Sequence, residues 1–269
     1  MSSHRPVHPA AAAAIAALLL LAVLSADAPA AAQRLADLPA GEAYSTCIRL
    51  ARQKPEDGFE AAIAWRDEGG GPAAKHCTAV ALVQLGQYGD AALRLETLAD
   101  EMGAFTPAER AAVLGQAGRA WLRAEQPERA EAALSIAVDL APDSADLRVD
   151  RGEIRAAAGA LWDAVDDFNA ALELRPDHLD ALIFRGAAYR LLDAPELARS
   201  DLDAALARDP GNPDALVELG AVALEEGDRG VARRHWLRTI DLAPGSPAAD
   251  AARRWLERLD VRVEDGPGR

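Results

Sequence analysis

LWDAVDDFNAALELRP, residues 161–176, decides the fold, because its spacing of alanines, a large residue and a proline returns further along the chain in PELARSDLDAALARDP, residues 195–210. Four positions recur at this same interval: a glycine (Gly118, Gly152, Gly186, Gly220), an alanine (Ala130, Ala164, Ala198, Ala232), a large residue (Leu134, Phe168, Leu202, Trp236) and a proline (Pro142, Pro176, Pro210, Pro244). A fixed interval of this length indicates an array of stacked structural units.

In the helix–turn–helix repeats that this pattern resembles, the glycine lies on a helix A and the alanine on an antiparallel helix B. Both residues are small, so the two helices can approach closely, and the large residue fills the space beside them. The proline ends helix B because the residue before a proline is pushed out of the α region. Helix starts are marked by Asn212-Pro213 and Ser246-Pro247, and by the capping-box spacing of Thr106 to Glu109.

The pattern resembles the tetratricopeptide repeat, in which a glycine, a tyrosine-like position, two alanines, an aromatic residue and a proline mark a helix–turn–helix unit. The resemblance covers about residues 72–246 and implies an all-α, right-handed superhelical solenoid. We expect five repeats, at about 72–110, 111–144, 145–178, 179–212 and 213–246. A capping helix over 247–260 and a disordered tail over 261–269 would follow.

The first repeat departs from the pattern, with Ala79 for the glycine and Gly103 for the proline, and the next repeat begins later than the interval requires. We expect the extra residues to lengthen the turn near Met102–Arg110. At the tyrosine-like position, Arg155 is anomalous. A further helical pair is predicted over 41–71, with YSTCIRLARQ as its first helix, PEDG (55–58) as the turn and FEAAIAWRDE as its second helix, before the glycines at 69–71 break the chain.

The N-terminus predicts export. An uncharged apolar run over 10–24 precedes Ala30-Ala31-Ala32, a small-residue pattern typical of a cleavage site before Gln33. The run is shorter than the ~20 apolar residues of a membrane-spanning helix. We therefore expect a signal peptide over 1–32, a flexible segment over 33–40 and a periplasmic or secreted protein with no stable membrane anchor after cleavage. An uncleaved anchor and a misplaced start are the alternatives.

The formal net charge of −14 argues against a nucleic-acid partner and disfavours attachment to anionic membranes. No metalloprotease, hydrolase, phosphate-loop or haem-attachment motif is present, and His76, His178 and His235 stand near no nucleophile pattern. The sequence therefore predicts a protein that is not an enzyme and needs no cofactor.

Cys47 and Cys77 fall on the first helix of the N-terminal pair and the first helix of the next unit. Those helices are neighbours in a repeat stack, so the two cysteines of an exported chain are predicted to form a disulfide. A metal or redox site that uses His76 beside Cys77 is the alternative.

Two arginine–aspartate pairs are predicted inside single repeats. Arg151 and Arg185 each precede the glycine of helix A, and the same two units carry Asp167 and Asp201 on helix B. We expect Arg151–Asp167 and Arg185–Asp201 ion pairs, the alternative being solvated surface charges.

The resemblance implies a scaffold that holds a protein or peptide in a groove lined by the A helices. An accessory subunit of an envelope enzyme, a small-ligand binder and an assembly factor are the alternatives. By the family's offsets from the glycine, the groove would contain Arg119, Arg123, Asp146, Val149, Glu153, Asp180, Ile183, Arg190, Leu191, Asp214, Val217, Leu224 and Glu225. Arg119 and Arg123 lie four apart on one helical face and are expected to pair with acidic residues of the partner, or else with neighbouring acids of this chain.

Overall fold

A computed structural model describes residues 40–264, with side chains described over 41–260. The chain divides after Met102 into an N-terminal unit and a C-terminal unit. The described residues form helices and turns, with no strand among them. The predicted signal peptide (1–32), the predicted flexible segment up to residue 39 and the end of the predicted tail lie outside the described residues.

The N-terminal unit contains four helices: α1 (Ala40–Gln53), α2 (Pro55–Trp65), α3 (Gly71–Gln84) and α4 (Tyr88–Glu101). Helix α1 packs on α2 and α3, and α3 packs on α4. A short segment of wider helical turns, Arg66–Gly70, connects α2 to α3. Gly69 within this link and Gly71 directly after it adopt positive φ angles of 99° and 55°, so the chain breaks at the glycines, as predicted.

The predicted turn at residues 55–58 is wrong, because these residues form the first turn of α2. Pro55 suits the first helical position, and Glu56 and Asp57 suit the positive end of the helix dipole. Gly58 is buried against the backbone of Ala51, where any Cβ would collide with it. The glycine therefore permits close packing of α1 and α2 rather than a turn between them.

The C-terminal unit contains the other nine helices of the described range, and each repeat contributes a pair. The pairs are α5 (Pro107–Arg123) with α6 (Pro127–Leu140), α7 (Ala145–Ala157) with α8 (Leu161–Leu174), α9 (Leu179–Leu191) with α10 (Pro195–Arg208), and α11 (Pro213–Glu225) with α12 (Arg229–Leu242). The last helix, α13 (Pro247–Glu264), packs on α12 and α11. The A helices α5, α7, α9 and α11 contact one another in sequence. This unit is therefore an all-α solenoid of helix–turn–helix repeats.

Two predicted boundaries are corrected by helix ends. Helix α5 begins at Pro107, where the predicted capping box of Thr106 with Glu109 is present, so the second repeat starts before its predicted boundary at 111. It is 17 residues long where α7 and α9 have 13, so most of the extra residues lengthen the helix rather than the turn. Helix α13 runs to Glu264, beyond the predicted end at 260, because no glycine or proline occurs before Gly266.

The glycine of helix A packs beneath the large residue of helix B in every repeat of the C-terminal unit. A Cβ added to Gly118 would lie 2.6 Å from Leu134, and one added to Gly186 would lie 2.8 Å from Leu202. Phe168 and Trp236 cover Gly152 and Gly220 in the same way. Leu134, Phe168, Leu202 and Trp236 are fully buried, as the repeat pattern predicts.

Among residues 40–264, no helix is both long and apolar enough to span a bilayer.

Candidate interaction surface

Two A helices, α7 and α9, are each joined to helix B of the same repeat by the predicted arginine–aspartate pair. Arg151 of α7 donates from Nε and Nη2 to the two carboxylate oxygens of Asp167 on α8, at 2.9 and 2.6 Å. Asp167 is buried, with 3% of its side chain exposed. The hydrogen bond to Asp167, together with its negative charge, raises the pKa of Arg151. Such a bidentate pair has a single geometry, so it holds helix A and helix B of one repeat in register.

The sequence did not predict the part that Arg155 takes in this network. Its Nη1 donates to Asp167 at 2.9 Å, and its Nε donates to Glu131 on α6 at 2.9 Å. Arg155 therefore connects one repeat to the preceding one. The signal in the sequence was the anomaly itself, an arginine at the tyrosine-like position beside an Arg–Asp pair in the same repeat.

The second predicted pair has the same arrangement in the next repeat. Arg185 of α9 donates to both oxygens of Asp201 on α10, at 2.7 and 2.6 Å. Its remaining terminal nitrogen donates to Asn169 on the preceding helix B at 2.7 Å. Both networks thus join one helix A to two B helices.

Three apolar residues predicted to line the groove belong to the core instead. Val149, Ile183 and Val217 are 5%, 4% and 6% exposed. Neighbouring helices of the repeat stack cover them, so they offer no surface to a partner. Of the predicted apolar groove residues, Leu191 is 57% exposed and Leu224 is half-buried.

The predicted groove arginines Arg119 and Arg190 make ion pairs within the chain. Arg119 pairs with Asp150 on the next helix A. Arg190 is largely buried and donates to Glu218 at 2.9 Å and to Glu225 at 2.8 Å. Arg123 is exposed at the end of α5. The alternative that Arg119 and Arg123 balance neighbouring acids of the chain therefore holds for Arg119, and Arg190 is neutralised in the same way.

Carboxylates from three successive A helices gather on one surface, which we call the acidic face. It consists of Asp146, Asp150 and Glu153 on α7, Asp180 on α9 and Asp214 on α11. Desolvation raises the pKa of Asp150, Arg119 lowers it in part, and Asp146 and Asp180 raise it further. Desolvation and the charges of Asp150 and Asp180 likewise raise the pKa of Glu153.

Asp214 extends the acidic face onto α11. Its pKa is raised by desolvation and by the charge of Asp180. Asp146 differs, because a hydrogen bond from Arg175 lowers its pKa. Within the part of the chain that the structure describes, Asp146 and Asp150 are the carboxylates of the acidic face that pair with a cation, so the face is suited to positive charge.

The cysteines predicted to pair are joined as a disulfide between α1 and α3, with their Cα atoms 6.2 Å apart. Both are fully buried in the core of the N-terminal unit. His76 lies 2.9 Å from the Tyr44 hydroxyl through its Nδ1 atom, so the imidazole takes part in a contact between the same two helices. The structure thus favours the disulfide over the metal or redox alternative.

The described residues contain no group of three or more potential metal ligands. His178 is buried with its Nε2 3.1 Å from Asp146. His235 has a lowered pKa through desolvation and three neighbouring arginines. Each histidine is therefore explained by its local packing or charge.

Comparison with known families identifies the repeat over the C-terminal unit. The sequence profile of the family described as Tetratricopeptide repeat matches residues 116–178, 163–213 and 187–247. Comparison with curated protein sequences finds no match.

Solved structures with a similar fold cover most of this chain. PilF of Pseudomonas aeruginosa has 18% identity over 81% of this chain and 99% of its own, with a TM-score of 0.61. A tetratricopeptide-repeat protein of Thermus thermophilus, TTC0263, has 21% identity over 70% of this chain and 98% of its own, with a TM-score of 0.57. YrrB, described as having an unusual peptide-binding site, has 20% identity over 73% of this chain and 97% of its own, with a TM-score of 0.50. At these identities the likeness is one of fold.

Proposed function

Because this chain is a tetratricopeptide-repeat protein, we propose that it is a non-catalytic scaffold that binds a peptide or helical segment on the acidic face of its C-terminal unit. The observation that carries the proposal is the gathering of Asp150, Glu153, Asp180 and Asp214 on adjacent A helices, three of them with raised pKa values. YrrB, a similar fold, is described as having a peptide-binding site, which supports the same kind of ligand here.

The charge of the acidic face favours a partner segment rich in lysine or arginine. A nearby cation stabilises the charged form of carboxylates that are desolvated and close together, because the cation offsets both their lost hydration and their mutual repulsion. An acidic segment would instead have to displace Asp150 from Arg119. We therefore revise the expectation that groove arginines select an acidic partner. Leu191, exposed at the end of α9, is available to an apolar side chain of the segment.

Binding of two charge-reversed peptides tests this proposal. One labelled peptide alternates lysine with leucine, and the other alternates glutamate with leucine. We expect fluorescence anisotropy to show that the lysine peptide binds. The double variant Asp180→Asn, Asp214→Asn should weaken this binding roughly fivefold, since the loss of charges at the rim of an interface changes the binding free energy by ~1 kcal/mol. Asp166→Asn, on the exposed surface of α8, is the matched control.

The variant Arg119→Gln distinguishes a basic partner segment from an acidic one. This change frees Asp150 of its ion pair and should strengthen binding of the lysine peptide. If the glutamate peptide bound more tightly than the lysine peptide, and Arg119→Gln weakened it, the acidic face would not be the binding surface.

We also propose that the protein is exported after cleavage before Gln33. The apolar run over 10–24, the alanines at 30–32 and a disulfide-bonded cysteine pair support this location. N-terminal sequencing of protein from the periplasmic fraction of a Gram-negative expression host should begin at Gln33. Recovery of a chain that retains its first residues in the membrane fraction would favour the anchor.

A further inference from the structure

The N-terminal unit contains a cavity of about 250 Å³ between the link Arg66–Gly70, α3 and α4. Three cationic side chains line it, Arg66, Lys75 and Arg94, although the whole protein has a net charge of −14. Leu93 and Leu98 supply an apolar wall, and Leu93 is 45% exposed. The lining of the cavity thus combines cationic side chains with apolar ones.

The position of Arg94 can be compared with the equivalent helix-B position in the later repeats. Arg94 stands at the same offset from Ala79 as Asp167 stands from Gly152. In two later repeats this helix-B position is the aspartate that pairs with an arginine of helix A. In the first repeat the helix-A partner is Thr78, and the helix-B position is itself an arginine. The position therefore carries a cation where those two repeats carry a carboxylate.

The charges around the cavity leave Arg94 without a counter-ion in the described part of the chain. Arg66 pairs with Asp67 and Lys75 with Glu101, and both of these acids are exposed. No hydrogen bond or ion pair joins Arg94 to another described residue. The threonine hydroxyls are occupied, since Thr78 donates to the Ala74 carbonyl and Thr97 to the Leu93 carbonyl. Recognition of a ligand at this site would therefore fall to the cations.

We propose that this cavity is a second binding site, separate from the acidic face, that takes a carboxylate attached to a small apolar group. The carboxylate would face Arg94 as the arginine of helix A faces the aspartate of helix B in the later repeats, with the two charges exchanged, and it would accept hydrogen bonds from the fork of Arg94. The apolar group would lie against Leu93 and Leu98. The volume is below the ~300 Å³ at which pockets for drug-sized ligands begin, so the ligand is about the size of one amino acid.

Two sources of such a carboxylate share this chemistry: a free small acid, and the C-terminal residue of a polypeptide with an apolar side chain. N-acetyl-leucine represents the first source, and a peptide that ends in leucine represents the second. N-acetyl-leucine amide and the amidated peptide keep the apolar group but lack the charge. Inorganic phosphate tests whether a carboxylate is needed at all.

Nuclear magnetic resonance of the ¹⁵N-labelled full chain can follow each probe. We expect N-acetyl-leucine to shift the backbone amide signals of Thr78, Arg94 and Thr97 to saturation, and the amide to leave them unchanged. Arg94→Gln should weaken binding at least ~tenfold, the effect of losing one charge-assisted pair. Arg49 is an exposed arginine of the same unit that lines no part of the cavity. The Arg49→Gln variant should therefore bind N-acetyl-leucine with unchanged affinity. Circular dichroism would confirm that both variants are folded.

The outcomes separate the possibilities. If the leucine-ended peptide binds more tightly than N-acetyl-leucine and its amidated form does not bind, a polypeptide terminus is the ligand. If the free acid binds as well as the peptide, a small acid is the ligand. Equal binding of N-acetyl-leucine and its amide, undiminished binding by Arg94→Gln, or binding of phosphate alone would overturn the proposal. None of these results depends on whether peptides bind the acidic face.

Discussion

The guanidinium of Arg151 and the carboxylate of Asp167 face each other across two helices of one repeat and share two parallel hydrogen bonds. Asp167 also accepts a hydrogen bond from Arg155, which reaches back to Glu131 of the preceding repeat. This single buried carboxylate therefore holds three helices together, α6 through Arg155 and both helices of its own repeat.

Replacing Asp167 should destabilise the protein strongly. Asp167→Asn removes the negative charge that compensates two arginines, and breaking a buried pair on one side costs about 3 kcal/mol or more. Urea denaturation should show this loss in the free energy of unfolding. The exposed neighbour Asp166→Asn should change it by no more than ~0.5 kcal/mol.

A double variant tests the cause of that loss. Arg151→Leu combined with Asp167→Ala, which removes both charges of the pair and leaves Arg155 its bond to Glu131, should cost less than Asp167→Asn alone. A larger cost for the double variant would show that packing volume, not uncompensated charge, determines stability here.

The repeat pattern was sufficient to predict the helix pairs, the burial of Phe168 against a glycine and the Arg151–Asp167 pair. These features follow from a few residues at fixed spacing. The burial of Val149 was not predicted, because an offset on one helix does not report how closely the next helix approaches. The same holds for the acidic face, whose raised pKa values come first from desolvation and then from neighbouring carboxylates, among them Asp180 on the next repeat.

The disulfide should stabilise the N-terminal unit. Cys47 and Cys77 are separated by 30 positions, and closing a loop of this length contributes roughly 3.5 kcal/mol by limiting the unfolded chain. Reduction should therefore increase amide hydrogen exchange in α1 to α4. The Cys47→Ala, Cys77→Ala variant should show the same faster exchange and no response to reductant. Faster exchange confined to α9 to α12 would contradict this account.

Gly152→Ala should reveal the contact between α7 and α8. Alanine is favoured over glycine within a helix by up to ~1 kcal/mol, so an unobstructed change would stabilise the protein. Here the new Cβ would lie about 2.5 Å from Phe168, and overpacking of this kind costs about 1–3 kcal/mol. We expect a lower melting temperature. Gly41→Ala, a helical glycine with nothing close to its Cβ position, should not lower it.

The raised carboxyl pKa values predict that binding at the acidic face depends on pH. Asp150 and Asp214 have pKa values raised above the ordinary 3.8, and that of Glu153 is raised above 4.5. A raised pKa means that the folded protein holds these protons at a pH where the unfolded chain has released them. Ionisation of these carboxyl groups therefore lowers the free energy of unfolding as pH rises through the raised pKa values. A bound cation offsets the negative charge and so stabilises the folded protein.

Binding of the lysine peptide should therefore strengthen as pH rises through that interval and should release protons, because a bound cation lowers the carboxyl pKa values. Calorimetry in two buffers with different ionisation enthalpies measures the released protons directly. Asp214→Asn should reduce both the proton release and the pH dependence, while Asp166→Asn on α8 should leave both unchanged. Proton uptake on binding, or an affinity that does not vary with pH across the carboxyl range, would mean that the peptide avoids the carboxylates with raised pKa values.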